Sequence, residues 1–125
     1  MLSDFATQHG LRLIEAGSER VVGELLAEAR HLNANGRVHG GALMAFADEL
    51  GGMGAKLNLP ANSWTTTLES KTNFLRGALP GLLTGEALPL HRGSSTQVWQ
   101  TTIRDAQGRL IAMVTQTQMV MQTRS

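Results

Sequence analysis

The chain of 125 residues contains no cysteine, which removes disulfides, thiolate catalysis and thiolate metal sites together. Aromatic residues make up only 4% of it, and Phe5, Phe46, Trp64, Phe74 and Trp99 are too few to announce an aromatic-lined pocket. Excess charge is missing as well. Eleven basic residues stand against ten acidic ones, a net +1 without a run of like charge, so no nucleic-acid partner is expected. No apolar segment reaches the roughly 18 residues needed to span a bilayer. The start, Met1-Leu2-Ser3-Asp4-Phe5, lacks a basic region followed by an apolar stretch. Neither a membrane span nor a signal peptide is expected, and a cytoplasmic location is the default. His9, His31, His39 and His91 lack metal-ligand spacing, so no metal site is expected.

What remains suits one domain over residues 1–125, a size that buries roughly two thirds of its unfolded surface in a single core. A deep substrate site must then be a surface groove, or must be completed by a second copy of the chain. Ser3-Asp4 suits the cap of a short helix ending at Gly10, before a strand-like Leu11-Arg12-Leu13-Ile14. Val21 to Ala29 reads as a second strand, and Arg30 to Val38, with Asn33, Asn35 and Gly36, as a loop.

From Gly40 to Leu57 runs one long helical pattern, with Leu43, Phe46, Leu50, Met53 and Leu57 at spacings of three and four. The opposite side carries Gly41, Met44, Asp48, Gly52 and Ala55. A helix apolar on nearly every side is expected to be buried on nearly every side, the second face against a partner subunit. Beyond it lie four strand-like segments: Thr65 to Leu75, Leu82 to His91, Thr96 to Asp105 and Leu110 to Met121. Gly77, Pro80-Gly81, Arg92-Gly93-Ser94 and Asp105-Ala106-Gln107-Gly108 in the breaks suit hairpin turns, which predicts a four-stranded antiparallel meander. The first half of the last segment reads as covered on both faces and its Thr/Gln-rich second half as solvated. The class is α+β, with the sheet curling around the helix.

The run from His39-Gly40-Gly41 to Asp48 places two glycines at a helix start and a carboxylate about two turns further in. Glycine weakens a helix by about 1 kcal/mol relative to alanine, so the pair needs a reason. Close packing is one. The other is an oxyanion hole, in which unpaired N–H groups at the positive end of the helix receive a carbonyl oxygen. An unpaired buried carboxylate costs several kcal/mol, so Asp48 should be neutralised, paired with an arginine, or functional. Glu49 points about 100° away from it and suits a structural role or a pair with Lys56.

The pattern Asn33-x5-His39-Gly40-Gly41-x6-Asp48, then Thr67-x-Glu69, Asn73-Phe74-Leu75-Arg76, Gly93 and Asp105-x2-Gly108-x2-Ile111-Ala112, resembles the hotdog-fold acyl-CoA thioesterases. The nearer branch is that of phenylacetate-degradation and 4-hydroxybenzoyl-CoA thioesterases. The resemblance covers roughly Leu13 to Met121 and implies a curved antiparallel sheet wrapped around one central helix. It implies Asp48 as nucleophile or general base, Gly40 as amide donor to the thioester oxygen, Asn33 as an orienting group and Thr67 as a positioner of water. It also implies a dimer, with Asn33 and Gly40 of one subunit facing Asp48 and Thr67 of the other, and a dimer-of-dimers tetramer. Coenzyme A belongs to the substrate, so no separate cofactor is implied.

Many relatives carry Arg or Lys after the residue matching Gly93, where this chain has Ser94-Ser95. Gly41, Arg76, His91, Arg92, Gly93, Ser94 and Ser95 are the candidate contacts to CoA, and Arg76, His91, Arg92 and Ser94 read equally as solvated surface residues. His39 suits loop shaping or a pantetheine contact better than a general base. Asn33 has an equal claim as a turn residue and Thr67 as a strand former. Two other functions remain open: dehydration of a 3-hydroxyacyl thioester, and non-catalytic binding of an acyl-CoA. Met44, Leu50 and Met53 suit acyl groups of several shapes.

Overall fold

The computed structural model describes residues 1–123. Helix α1 (Asp4–Gln8) is capped by Ser3, whose hydroxyl accepts the Ala6 N–H, and the chain leaves it through Gly10 at a φ of +87°. Strands β1 (Leu11–Ala16) and β2 (Val21–Ala27) form a hairpin, followed by a single 3₁₀ turn at Ala29–His31. Buried His31 locks this region. Its Nδ1 accepts the Glu28 N–H at 2.9 Å, which leaves Nε2 to donate to the His9 carbonyl at 2.6 Å.

Helix α2 runs over Gly40–Lys56, with Leu57 as its C-cap. Strands β3 (Ser63–Phe74), β4 (Gly81–Arg92), β5 (Thr96–Arg104) and β6 (Leu110–Gln122) complete a six-stranded antiparallel sheet. Its order is β1-β2-β4-β5-β6-β3, and α2 packs against every strand. This is the α+β hotdog arrangement expected from the sequence. The four-strand meander is not what forms, because β3 pairs with β6 and not with β4. The chain after β3 crosses the end of the sheet, pinned where Leu75 N and Arg76 N donate to the Ile111 carbonyl and Val38 N donates to that of Ala78.

The helix sits on a glycine seat. Gly23 and Gly85 are cross-strand partners on β2 and β4. A Cβ at Gly23 would lie 2.8 Å from Leu50 Cδ2, and one at Gly85 2.7 Å from Leu50 Cδ1 and 2.9 Å from Phe46 Cζ. Phe46 and Leu50 are fully buried there, with Trp99, Leu25, Leu83, Ile103 and Ile111 around them. Leu43, Phe46, Leu50 and Met53 form the buried stripe that their spacing predicts, but Leu57 is exposed. On the opposite face only Ala55 departs from expectation. Ala55 is buried in the core, whereas Gly41, Met44 and Asp48 are open to solvent in the single chain and Gly52 is half-buried.

Candidate active site

At the start of α2, His39 has an extended backbone (φ −61°, ψ 135°) and caps the helix with its own ring. Its Nδ1 accepts the Gly41 N–H at 2.8 Å, and its carbonyl accepts the N–H groups of Ala42 at 2.9 Å and Leu43 at 3.2 Å. Three first-turn amides are therefore satisfied by one residue. Gly40 is the exception, since no described residue accepts its N–H. His39 thus shapes the helix start, and Gly41 has no free amide to offer a ligand.

Gly40 lines a hollow of about 450 Å³ together with Asn33, Arg37, Phe74 and Arg76. Asn33 is a turn residue here, its Oδ1 accepting the N–H groups of Asn35 at 2.9 Å and Arg37 at 3.1 Å. Its side-chain amide remains available on the same hollow.

Two turns along the helix, Asp48 is not buried, and among the described residues no arginine forms the ion pair considered for it. Its Oδ1 accepts from Gln116 Nε2 at 3.2 Å and from Thr67 Oγ1 at 3.4 Å. Thr67 Oγ1 accepts in turn from Gln118 Nε2 at 2.8 Å, and Gln118 Oε1 accepts from Thr65 Oγ1 at 3.1 Å. The donations run one way, from Thr65 through Gln118 and Thr67 to the carboxylate. No described residue donates to Oδ2. Asp48, Gly52, Met53, Thr65, Thr66, Thr67 and Gln118 line a second hollow of about 290 Å³.

Gln116 and Gln118 are the functional candidates that the sequence reading missed. Both are buried, although their half of β6 reads as solvated. The signal was there in the period of two: Ala112, Val114, Gln116, Gln118 and Val120 all face inward. Glu49 also finds a partner other than the one considered. It accepts from Ser3 N at 2.8 Å and Ser3 Oγ at 2.9 Å, tying α1 to α2, with no ion pair to Lys56 among the described residues.

The remaining candidates divide between the two ends of α2. Arg76 stands beside Gly40, without an ion pair among the described residues. The β4–β5 turn with His91, Gly93, Ser94 and Ser95 lies at the other end, since Arg92 Nη1 reaches Asn58 Oδ1, just past α2, at 3.4 Å. Arg92 is already engaged, its guanidinium meeting Glu19 at 2.7 Å and the Ser18 carbonyl at 3.3 Å. His91, Ser94 and Ser95 are exposed.

Gly40 and Asp48 are eight positions apart on one straight element, about 12 Å at 1.5 Å per residue. An amide donor and a carboxylate that act on one carbonyl carbon must both lie within about 3–3.5 Å of the reacting atoms. Within one chain the Gly40 N–H and the Asp48 carboxylate are therefore too far apart to act together on one carbonyl carbon.

The family model for the thioesterase superfamily matches residues 35–112. A Vibrio cholerae chain named provisionally as an esterase is 42% identical over 78 residues, 62% of this chain and 52% of that one. The 1,4-dihydroxy-2-naphthoyl-CoA hydrolase of Escherichia coli is 32% identical over 100 residues, 80% of this chain and 74% of the hydrolase. The chain spans 52%, 65% and 62% of the length of the first three curated relatives it matches. Among solved structures, a provisionally named esterase of Mycobacterium tuberculosis superposes with a TM-score of 0.94 at 28% identity, covering 98% of this chain and 100% of that one. A thioesterase of Haemophilus influenzae superposes with a TM-score of 0.90 at 25% identity, covering 97% and 85%.

Proposed function

As the chain belongs to the thioesterase superfamily, we propose that it hydrolyses an acyl-coenzyme A thioester, aryl acyl groups included, at a site assembled by two copies. The observation that carries this reading is the division of labour along α2: a first-turn amide without an acceptor at Gly40, and a carboxylate held by one oxygen at Asp48. The thioester oxygen accepts the Gly40 N–H of one copy, while Asp48 of the other takes a proton from water through Oδ2. The water oxygen bonds to the carbonyl carbon, the C–S bond breaks, and the coenzyme A thiolate leaves and is protonated. Negative charge develops on the carbonyl oxygen during attack, where a fixed amide at a helix start stabilises it.

In this reading Thr67 acts on the carboxylate. Its one proton is directed to Asp48, so it steadies the carboxylate. The Asn33 amide would orient the carbonyl beside Gly40, and Arg76, on the same hollow, would receive a phosphate of coenzyme A. Pairing through β3 suits the geometry, because this twelve-residue strand is a sheet edge with its backbone groups free on one side. The name of the Escherichia coli relative motivates aryl thioesters as the first substrates to try.

Thiol release from acetyl-, medium-chain acyl- and aryl-CoA by the wild type and by Asp48→Asn tests the proposal. Replacing a general base costs about 10²–10⁴ in kcat. Equal rates for the two proteins would refute it, and binding of acyl-CoA without turnover would favour the non-catalytic alternative.

A further inference from the structure

Gln116 is a fully buried polar side chain in a strand whose other inward residues are mostly apolar, and half of its amide is unsatisfied. Nε2 donates to Asp48 Oδ1 at 3.2 Å, but no described residue donates to Oε1. A buried carbonyl oxygen left unpaired is destabilising, so the residue is not explained by the fold's own needs. The helix makes room for it as well. A Cβ at Gly51 would overlap Gln116 Oε1, and glycine inside a helix is itself unfavourable relative to alanine. Two unfavourable features, an orphaned oxygen and an interior glycine, coincide where β6 reaches through to Asp48.

We propose that Gln116, admitted by the notch at Gly51, is the positioning residue for Asp48. Together with Thr67 it holds Oδ1, so that Oδ2 is the oxygen presented to water at the thioester carbon. The two contacts differ in kind. Thr67 lies on the exposed edge strand, at 3.4 Å, whereas Gln116 is anchored in β6 between two paired strands and holds the carboxylate from inside the core. This inference rests on the hydrolysis reading above, and its test separates the two.

The experiment compares Gln116→Met, of similar length and shape but without the amide, in wild-type and Asp48→Asn backgrounds, with melting temperature measured alongside. Misplacing a reacting group by about 1 Å costs about 10²-fold. The expected result is a kcat about 10–100-fold lower with KM changed less than about twofold, and no further loss in the Asp48→Asn background. Gly51→Ala, which displaces the amide without removing it, is expected to reproduce the kcat loss. It serves as the test should Gln116→Met fold poorly. An equal loss in both backgrounds, or a loss carried by KM, overturns the role of Gln116 while leaving hydrolysis by Asp48 standing. If Asp48→Asn itself is fully active, the hydrolysis reading falls. The carboxyl ¹³C resonance of Asp48 then decides: a shift on Gln116→Met supports the contact, and an unmoved resonance overturns it.

Discussion

Proline at position 40 would delete the one amide on which the oxyanion proposal depends and leave most else in place. Gly40 is the first residue of α2, the position where proline is best tolerated in a helix, because the missing N–H has no intrahelical partner there. The residue before a proline must be extended, and His39 already is, at φ −61° and ψ 135°. The cap survives, since His39 still receives the amides of Gly41, Ala42 and Leu43. The one crowded neighbour is Phe74, whose Cζ would lie 3.1 Å from a Cβ at position 40, and its ring is 54% exposed and can swing aside. Gly40→Ala imposes the same crowding and keeps the N–H. The contrast between the two variants therefore isolates the amide. Losing one oxyanion donor costs about 10²–10³ in kcat, or about 2.7–4 kcal/mol. Gly40→Pro is expected to fall by that factor below Gly40→Ala in a thiol-release assay, with both melting near the wild type. Equal activity in the two variants would refute the reasoning.

The same variant tests whether the site is shared. If Gly40 of one copy works with Asp48 of the other, a dimer of Gly40→Pro with Asp48→Asn has one site damaged twice and one intact. Random pairing of equal amounts makes half of the dimers mixed, each with one good site of two, so activity should recover to roughly one quarter of the wild type. Two nearly inactive proteins would become active on mixing after joint refolding. A mixture no better than its parts would place both groups in one chain, against the separation along α2.

Two further outcomes follow from positions away from the chemistry. Gly85→Ala adds a Cβ 2.7 Å from Leu50 Cδ1 and 2.9 Å from Phe46 Cζ, both fully buried, and overpacking of this kind costs about 1–3 kcal/mol. Calorimetry should show a melting temperature lower by about 4–12 °C. In the β5–β6 turn, burial pushes the Asp105 carboxyl up, but the Arg109 N–H, the Arg109 guanidinium and the Gln107 N–H outweigh it and hold the group below its ordinary value. A lowered folded value means stability that is present above the ordinary carboxylate range near 3.8 and is lost as pH falls through the folded value. The stability advantage of the wild type over Asp105→Asn, followed by thermal melts, should be full at neutral pH and shrink below about pH 4.

The helix and the strand boundaries were legible because local pattern decides them. Spacings of three and four from Leu43 to Met53 marked the buried stripe, and the carboxylate at Asp48 stood out on the other face. The place of β3 was not legible. Gly77 and Pro80-Gly81 have the composition of a hairpin turn, but what they serve is a crossing, fixed by backbone bonds to Ile111 and Val38 that no local pattern announces. The misplacement of Gln116 and Gln118 has a related cause. Polarity in a strand usually means solvent, and only the carboxylate and hydroxyls waiting across the interface with α2 and β3 make burial affordable for two amides. A buried polar residue is readable only together with its partner, and the partner lies in another element.

The edge strand shows how the sequence reconciles these demands. Thr65 and Thr67 must face α2 to complete the hydrogen-bonded chain to Asp48. Carried on with a period of two, the same face would next present Glu69, Lys71 and Asn73, turning one charge of each sign toward the helix side of the sheet. The register instead slips between Thr67 and Glu69. Glu69 then stands opposite Thr117 on the outer face, where Thr117 Oγ1 donates to it at 2.9 Å. Ser70, Thr72 and Phe74 become the inward residues, opposite Gln116, Val114 and Ala112. With the extra residue at Leu68, one strand supplies hydroxyls beside Asp48 and, seven residues after Thr67, an aromatic ring beside Gly40. Bulges concentrate next to active sites because they re-aim side chains in this way. The Thr67-x-Glu69 spacing is thus the mark of a change of face, with the hydroxyl turned to the carboxylate and the charge turned to solvent.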